Sequence, residues 1–235
     1  MTMPATLVTI EGGRVRGTRD RQEDAWGFGK IPGGEWAAVA DGMGGHRGGD
    51  QASGAAVDAI MQHCLDTSAP IDDMAAWMQS GVVAAHRAVE VLAVPHEADS
   101  PGTTLLWAVA HGHTVSIAHV GDSRAYLVRG DRVEPLTIDM TPAGQRVRDG
   151  RQPWDHQNTA EDSHLLLSSL GQPPLTVELF EVFWQTGDVL ILTTDGLNAI
   201  PLQHWPALMA VCSVDEILGL APWMDNATLV VMRHG

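Results

Sequence analysis

Basic side chains are scarce in this chain, which has 14 lysines and arginines against 29 acidic residues over 235 positions. The formal net charge of −15 at pH 7 would repel phosphate backbones and anionic lipid surfaces. We therefore expect neither nucleic acid nor a membrane as a partner of this protein.

Cysteines and long apolar runs are also scarce. Cys64 and Cys212 are the two cysteines, both in stretches predicted to be helical, so we expect packed, reduced thiols and no disulfide framework. No run approaches the ~18 apolar residues that cross a bilayer, and the first residues lack the pattern of a secretory leader. These features predict a cytoplasmic protein, and the length and the 44% hydrophobic content predict one domain over residues 1–235.

An acid beside a glycine follows an apolar strand three times in the sequence. These acids are Asp41, Asp122 and Asp195, and a fourth acid, Asp225, shortly precedes the last predicted strand. Glycine permits a tight turn and a close backbone approach, so such a strand can present its carboxylate at the end of a sheet. We expect antiparallel neighbours to bring all four acids to one end of a single sheet.

The remaining pattern predicts helices, hairpins and one long connection. Helices are expected near residues 52–64 and 74–92, a hairpin around Gly12-Gly13, and a short helix at 163–170. The histidines at 111 and 113 flank a turn glycine and could be metal ligands or a solvated hairpin tip. The polar connection at 139–162 has no clear period, and a connection of this length is usually functional or mobile.

A cluster of carboxylates needs compensating charge. Two carboxylates ~4 Å apart repel by ~4 kcal/mol at an effective dielectric near 20, and Lys30 is the one lysine in the chain. All-oxygen ligands favour Mg²⁺ or Mn²⁺ over zinc, and two such ions can hold and acidify a shared water for in-line attack on phosphorus. Each Asp-Gly could instead be an ordinary turn. The shared strand-end context, with Arg19 four residues before Glu23, favours hydrolysis of a phosphate ester.

These residues resemble the metal-dependent serine/threonine protein phosphatases of type 2C, in their bacterial branch. The matching motifs, in family order, are Arg19–Asp24 (Arg-x-x-x-Glu-Asp), Asp41–His46 (Asp-Gly-Met-Gly-Gly-His), Gly102–Thr104, Gly121–Arg124, Asp195-Gly196 and Asp225-Asn226. The resemblance implies an α+β fold, a four-layer α-β-β-α sandwich of two antiparallel sheets flanked by helices. It also implies a flap-like segment at about 139–162.

The resemblance further implies a binuclear Mn²⁺ or Mg²⁺ centre with a possible third ion. The implied oxygen ligands are Glu23, Asp41, Gly42, Asp122, Asp195 and Asp225. Asp41 would bridge the two main ions, Asp195 and Asp225 would complete one site, and Glu23 with the Gly42 carbonyl would complete the other. Asp122 with Asp195 would form the weaker third site.

Two further residues receive roles from the same resemblance. Asp24 would orient metal-bound water without binding metal itself, and Arg19 would grip the phosphate. A guanidinium fork matches phosphate oxygens and keeps its proton near neutral pH, although Arg19 could also serve to neutralise the acids.

The chain departs from the family pattern at two places. Met43 stands where eukaryotic members have a histidine that can protonate the leaving group, so we expect metal-bound water to supply that proton. Asp139-Met140-Thr141 stands where the family usually has Asp-His followed by Ser or Thr, so no particular substrate is transferred.

The function predicted from these residues is a phosphoserine/phosphothreonine protein phosphatase in bacterial signalling. Its expected partners are a phosphorylated protein and the opposing Ser/Thr kinase, and the expected state is a monomer. One alternative is a stress-response or sporulation regulator phosphatase on the same fold. Another is a catalytically idle form that binds phosphoproteins or a kinase, although no metal acid is missing from the motifs.

Overall fold

The strands build two antiparallel sheets in this computed structural model, which describes residues 7–44, 48–92 and 100–235. In chain order the strands are β1 (Val8–Val15), β2 (Asp24–Ile31), β3 (Gly34–Met43), β4 (Gly102–Thr103), β5 (Leu105–His111), β6 (Thr114–Val120), β7 (Arg124–Arg129), β8 (Arg132–Pro135), β9 (Glu178–Phe183), β10 (Val189–Thr193) and β11 (Ala227–His234). One sheet has the order β1-β11-β10-β7-β8, and the other has the order β2-β3-β5-β6-β9 with β4 beside the end of β3.

Helices cover the outer face of each sheet. The helices are α1 (Gly49–Leu65), α2 (Met74–Glu90), α3 (Pro142–Arg148), α4 (Trp205–Val211) and α5 (Val214–Leu218), with 3-10 turns at Trp154–Asn158, Asp195–Leu197 and Leu202–His204. Helices α1 and α2 pack on β3, β5 and β6, whereas α4 and α5 pack on β7, β10 and β11. Gly45 and His46 of the third-strand motif, and Pro95 after the second helix, lie outside the described residues.

Strand β3 shows how the layers are held together. Trp36 and Ala38 face α1 and α2, while Ala37 and Val39 face the opposite sheet, and all four are at most 2% exposed. The apolar run is continuous because both faces of the strand are covered. The resulting helix-sheet-sheet-helix order confirms the predicted four-layer fold class.

The hairpin predicted at Gly12-Gly13 is wrong. Strand β1 runs through both glycines and pairs with β11 along its whole length, from Val8 opposite His234 to Val15 opposite Ala227. A Cβ atom on Gly12 would lie 2.5 Å from Cζ3 of Trp26. The glycine therefore allows an indole from the opposite sheet to pack against the strand, and it makes no turn.

The structure also revises the segment between β8 and β9. Helix α3 lies inside the stretch expected to lack a period, and its first turn is capped by the Thr141 hydroxyl, which accepts from the Gly144 N–H at 3.0 Å. The helix predicted at 163–170 is wrong, because these residues form turns and a bridge between Leu170 and Thr103.

Within the described ranges, no helix is both long enough and apolar enough to span a membrane.

Candidate metal centre

A cavity of about 880 Å³ opens where the ends of the two sheets meet. It is lined by all six predicted metal ligands, namely Glu23, Asp41, Gly42, Asp122, Asp195 and Asp225. From the sequence we expected the acids to lie at one end of a single sheet, and this expectation is wrong. Asp41 belongs to β3 of one sheet, while Asp195 and Asp225 lie after β10 and before β11 of the other. The face-to-face packing of the sheets thus places these carboxylates together.

Asp41 lies within strand β3 and not at its end. Its N–H donates to the Thr104 hydroxyl at 2.9 Å, and its carbonyl accepts from the Thr103 hydroxyl at 2.8 Å and the Thr104 N–H at 2.9 Å. These bonds fix the backbone at Asp41, so its half-buried side chain is presented to the cavity.

Gly42 lies where three backbone segments meet. Its N–H donates to the Glu23 carbonyl at 3.1 Å, and a Cβ atom here would lie 2.0 Å from the Gly49 carbonyl oxygen. The Glu23 carbonyl also accepts from the Ser53 hydroxyl at 2.5 Å. Only glycine fits at position 42, and the Glu23 side chain is held beside the start of α1, where the helix dipole favours negative charge.

Burial and mutual repulsion raise the pKa values of the clustered acids. Burial and the neighbouring Asp195, Asp24 and Asp122 raise the pKa of Asp41 well above its usual value. Burial and the charge of Asp195 do the same for the pKa of Asp122. Burial and Asp225 raise the pKa of Asp195. The cluster is therefore short of positive charge.

Asp24 lies behind the cluster and joins the two sheets. Its Oδ2 accepts hydrogen bonds from the hydroxyl of Thr194, directly after β10, at 2.8 Å and from the hydroxyl of Thr228, on β11, at 2.6 Å. Its Oδ1 is buried without a partner among the described residues. Burial raises the pKa of this carboxyl to about 6, although the two hydroxyls act in the other direction. Neither threonine is part of a sequence pattern that points to this role.

Arg19 lies at the rim of the cavity and contacts Asp225. Its Nη2 is 2.5 Å from Asp225 Oδ2, and its side chain is 60% exposed. The loop that carries Arg19 is held by Asn226, whose Nδ2 donates to the Arg16 and Arg21 carbonyls at 2.8 Å and whose Oδ1 accepts from the Glu23 N–H at 2.6 Å. The sequence motif contained Asn226, but its spacing gave no sign of this anchoring role.

A buried ion pair supports Asp122 from below. Arg124 donates two hydrogen bonds to Asp139, from Nε at 2.8 Å and from Nη2 at 2.6 Å, and its guanidinium lies 5.0 Å from the Trp154 ring centre. Met140, the residue after Asp139, contacts the turn directly, because its N–H donates to the Gly121 carbonyl at 2.8 Å. The segment after β8 thus fixes the turn that holds Asp122.

The residues present fit hard divalent cations. The donors are carboxylate and carbonyl oxygens, and Oδ1 of Asp195 is buried with no partner in the described chain. Among residues 7–44, 48–92 and 100–235, however, no three His, Cys, Asp or Glu side chains already converge as a metal shell. Asp225 faces Arg19 instead, and Asp41 faces Asp195.

The pattern of site residues agrees with comparisons to known proteins. The family model for protein phosphatase 2C matches residues 12–216. The chain belongs to the protein phosphatase 2C family. It is 36% identical over 169 residues to the serine/threonine phosphatase stp of Listeria innocua, covering 69% of this chain and 67% of that protein.

Solved structures of serine/threonine phosphatases share the fold. The phosphatase Stp1 of Staphylococcus aureus superposes with a TM-score of 0.88 at 22% identity, covering all of this chain and 98% of that one. The catalytic domain of the phosphatase PstP, described in complex with two manganese ions, has a TM-score of 0.81 at 28% identity, covering 97% and 98% of the two chains. The predicted family, fold class and enzyme class, a protein-serine/threonine phosphatase, are confirmed.

The two histidines at the β5–β6 turn are not among the residues that line the cavity. His111 Nε2 lies 3.0 Å from the Ser116 hydroxyl, and the His113 ring stacks on His234. Cys64 is buried and Cys212 is half-buried, both as free thiols, as predicted. One further residue of the cavity lining, His164, was not a candidate from the sequence, because it lies in a stretch with no motif.

Proposed function

We propose that this chain hydrolyses phosphoserine and phosphothreonine in proteins, with two Mn²⁺ or Mg²⁺ ions held by its carboxylates. The observation that carries this proposal is the meeting of the five candidate metal-binding acids from both sheets, with too few cations beside them, in one cavity. The PstP catalytic domain, described with two manganese ions, supports the choice of metal.

The proposed ligands are divided between two ions. Asp41, Asp195 and Asp225 would hold one ion, and Glu23, Asp41 and the Gly42 carbonyl would hold the other. Asp122 with Asp195 would offer a third, weaker site. Divalent cations held there supply positive charge to the phosphate and activate water for attack on phosphorus. The carboxylates of Asp41 and Asp195, which now face each other, would both be ionised in that state.

Arg19 is proposed to bind the phosphate. Its guanidinium is mostly exposed at the rim, so it can turn from Asp225 towards an incoming anion without leaving a buried charge unpaired. A planar fork of N–H donors matches two phosphate oxygens. The contact with Asp225 keeps the guanidinium at the cavity until substrate arrives.

Asp24 is not part of the cavity lining, and we propose that it orients water from its position behind Asp41. Two threonine hydroxyls occupy Oδ2 and fix the plane of the carboxyl, while the buried Oδ1 remains free to accept a hydrogen bond. The threonines hold the acid in one orientation, which is what a positioning group requires.

The remaining proposals concern the whole chain. Both sheets and the β1–β2 loop contribute to the cavity, which supports one catalytic unit over residues 1–235 with a flap at about 139–162. We propose that this protein is a monomer in the cytoplasm. Its partners would be a phosphorylated protein and the kinase that modifies that protein. Against the alternative of an idle phosphoprotein-binding form, all the metal acids of the motifs line the cavity.

The proposal is tested with a phosphoserine peptide in Mn²⁺ and in chelator. We expect phosphate release in Mn²⁺, a loss of at least about 10²-fold in chelator, and a similar loss in Asp195→Asn. Asp131→Asn is the matched control, because Asp131 is exposed at the β7–β8 turn. Peptide binding without hydrolysis would support the idle form, and hydrolysis that survives both chelation and Asp195→Asn would contradict the metal mechanism.

A further inference from the structure

The leaving oxygen of phosphoserine needs a proton that the motif residues do not readily supply. Met43 stands where eukaryotic members of the family have a histidine. It lies at the end of β3 with its Cε packed towards Gly102, and its thioether has no proton to donate. Arginines at the rim stay protonated near neutral pH. Glu23, Asp41, Asp122, Asp195 and Asp225 are assigned to cations in the proposed function.

His164 is one of the residues that line the same cavity. It shares the lining with Asp122, Asp195 and Arg19, and it is exposed to solvent. Of the described residues that line the cavity, it is the one with an imidazole. Imidazole is the side chain that can hold and release a proton near neutral pH.

The backbone around His164 is held on both sides. On one side, Arg146 donates to Asp162 from Nη1 at 2.8 Å and from Nη2 at 2.7 Å, and the Asp162 carbonyl accepts from the Leu165 N–H at 3.3 Å. On the other side, the Leu167 N–H donates to the Met140 carbonyl at 2.7 Å. The nearby charge of Asp162 is countered by Arg146. His164 thus lies in a turn that is fixed to α3 through Arg146 and to Met140, and it is one of the residues that line the cavity.

In place of the metal-bound water expected from the sequence, we propose that His164 is a catalytic residue that protonates the leaving serine or threonine oxygen. This inference rests on the proposed function. The bond from phosphorus to the side-chain oxygen breaks, that oxygen takes the ring N–H proton, and a water oxygen forms the new bond to phosphorus. The proton released by that water reprotonates the imidazole to imidazolium through solvent, so the enzyme ends the turnover unchanged.

The test compares leaving groups that differ in their need for a proton. Wild type and His164→Gln are assayed in Mn²⁺ with a phosphoserine peptide, phenyl phosphate and p-nitrophenyl phosphate. A seryl alkoxide leaves poorly without a proton, whereas p-nitrophenolate leaves readily. We expect kcat of His164→Gln to fall about 10²-fold with the peptide, with a loss at least tenfold smaller for p-nitrophenyl phosphate and an intermediate loss for phenyl phosphate.

Leu165→Ala is the matched control, because Leu165 is the exposed neighbour of His164, is 50% exposed and is not part of the cavity lining. It should keep the wild-type ratio between the substrates, and thermal unfolding checks that both variants are folded. Equal losses with all substrates, or no loss with the peptide, would overturn the proton-donor role. If wild type hydrolyses none of the substrates in Mn²⁺, the proposed function itself fails and this role fails with it.

Discussion

Asp139 and Asp195 are carboxylates of the same region of the molecule, yet their surroundings are opposite. Asp139 is 2% exposed and receives two N–H bonds from the buried guanidinium of Arg124. Asp195 faces Asp41 and lies near Asp225, and its Oδ1 has no partner among the described residues. The protein supplies a cation where a carboxylate holds the structure together. Beside Asp195, where we propose that a bound metal provides the positive charge, the part of the chain that the structure describes places no such paired cation.

The largest expected effect on stability comes from breaking the buried ion pair between Arg124 and Asp139. Asp139→Asn should lower the free energy of unfolding by about 3–5 kcal/mol, because it leaves the buried Arg124 guanidinium without its counter-charge. Urea unfolding measures this loss. The double variant Arg124→Met/Asp139→Leu should recover much of it, because no charge then remains buried alone. A loss below about 1 kcal/mol in Asp139→Asn would contradict the claim that the ion pair with Arg124 stabilises the fold.

A second compensated carboxylate, remote from the cavity, sharpens the comparison. Asp188 is 2% exposed and accepts from Arg129 Nη2 at 2.6 Å and from the Gln185 N–H at 2.8 Å. Burial alone would raise the pKa of Asp188, but these hydrogen bonds outweigh it and the pKa lies below its usual value. Asp188→Asn should cost about 1.5–3 kcal/mol at pH 7.

The pH dependence of that cost has a definite sign. A carboxyl with a lowered folded pKa adds stability above its unfolded value of about 3.9, and this stability is lost as the pH falls through the folded value. The difference in unfolding free energy between wild type and Asp188→Asn should therefore be constant from about pH 5 to 8 and shrink below about pH 4. A difference that grows on acidification would show that the charge of Asp188 does not stabilise the fold.

The smallest expected effect has the opposite sign. In chelator, Asp195→Asn should raise the free energy of unfolding by about 1 kcal/mol, because one member of a mutually repelling cluster becomes neutral. The exposed Asp131→Asn should change it by less than about 0.5 kcal/mol. Destabilisation by Asp195→Asn in chelator would mean that the cluster is compensated by the protein after all.

The sequence was sufficient for the parts of the molecule that depend on local pattern. The sequence motifs, together with the family resemblance, identified the six candidate ligands that line the cavity, and the apolar runs located β3, β6 and β10. The expectation that all four acids lie at one end of a single sheet was wrong. Strand order is set by long-range pairing, such as that of β1 with β11, which no local pattern reveals.

The rest depended on contacts between distant residues. Gly12 was predicted to form a turn because the reason for a glycine there, the packing of Trp26 from the other sheet, is not visible in the local sequence. The hydroxyls that hold Asp24 lie 170 and 204 residues away in the chain. His164 reaches the cavity only through a turn fixed by Arg146 and Met140. Short polar segments such as α3 carry too few apolar residues to show a helical period.

The most direct test of the central claim is a Mn²⁺ titration of the free energy of unfolding. A cation that binds the folded state stabilises it in proportion to the logarithm of its concentration above the dissociation constant. Wild type and Asp131→Asn should be stabilised alike, while Asp195→Asn and Asp41→Asn should lose this response. A wild-type protein that Mn²⁺ does not stabilise, or an Asp195→Asn variant that it stabilises equally, would contradict the account.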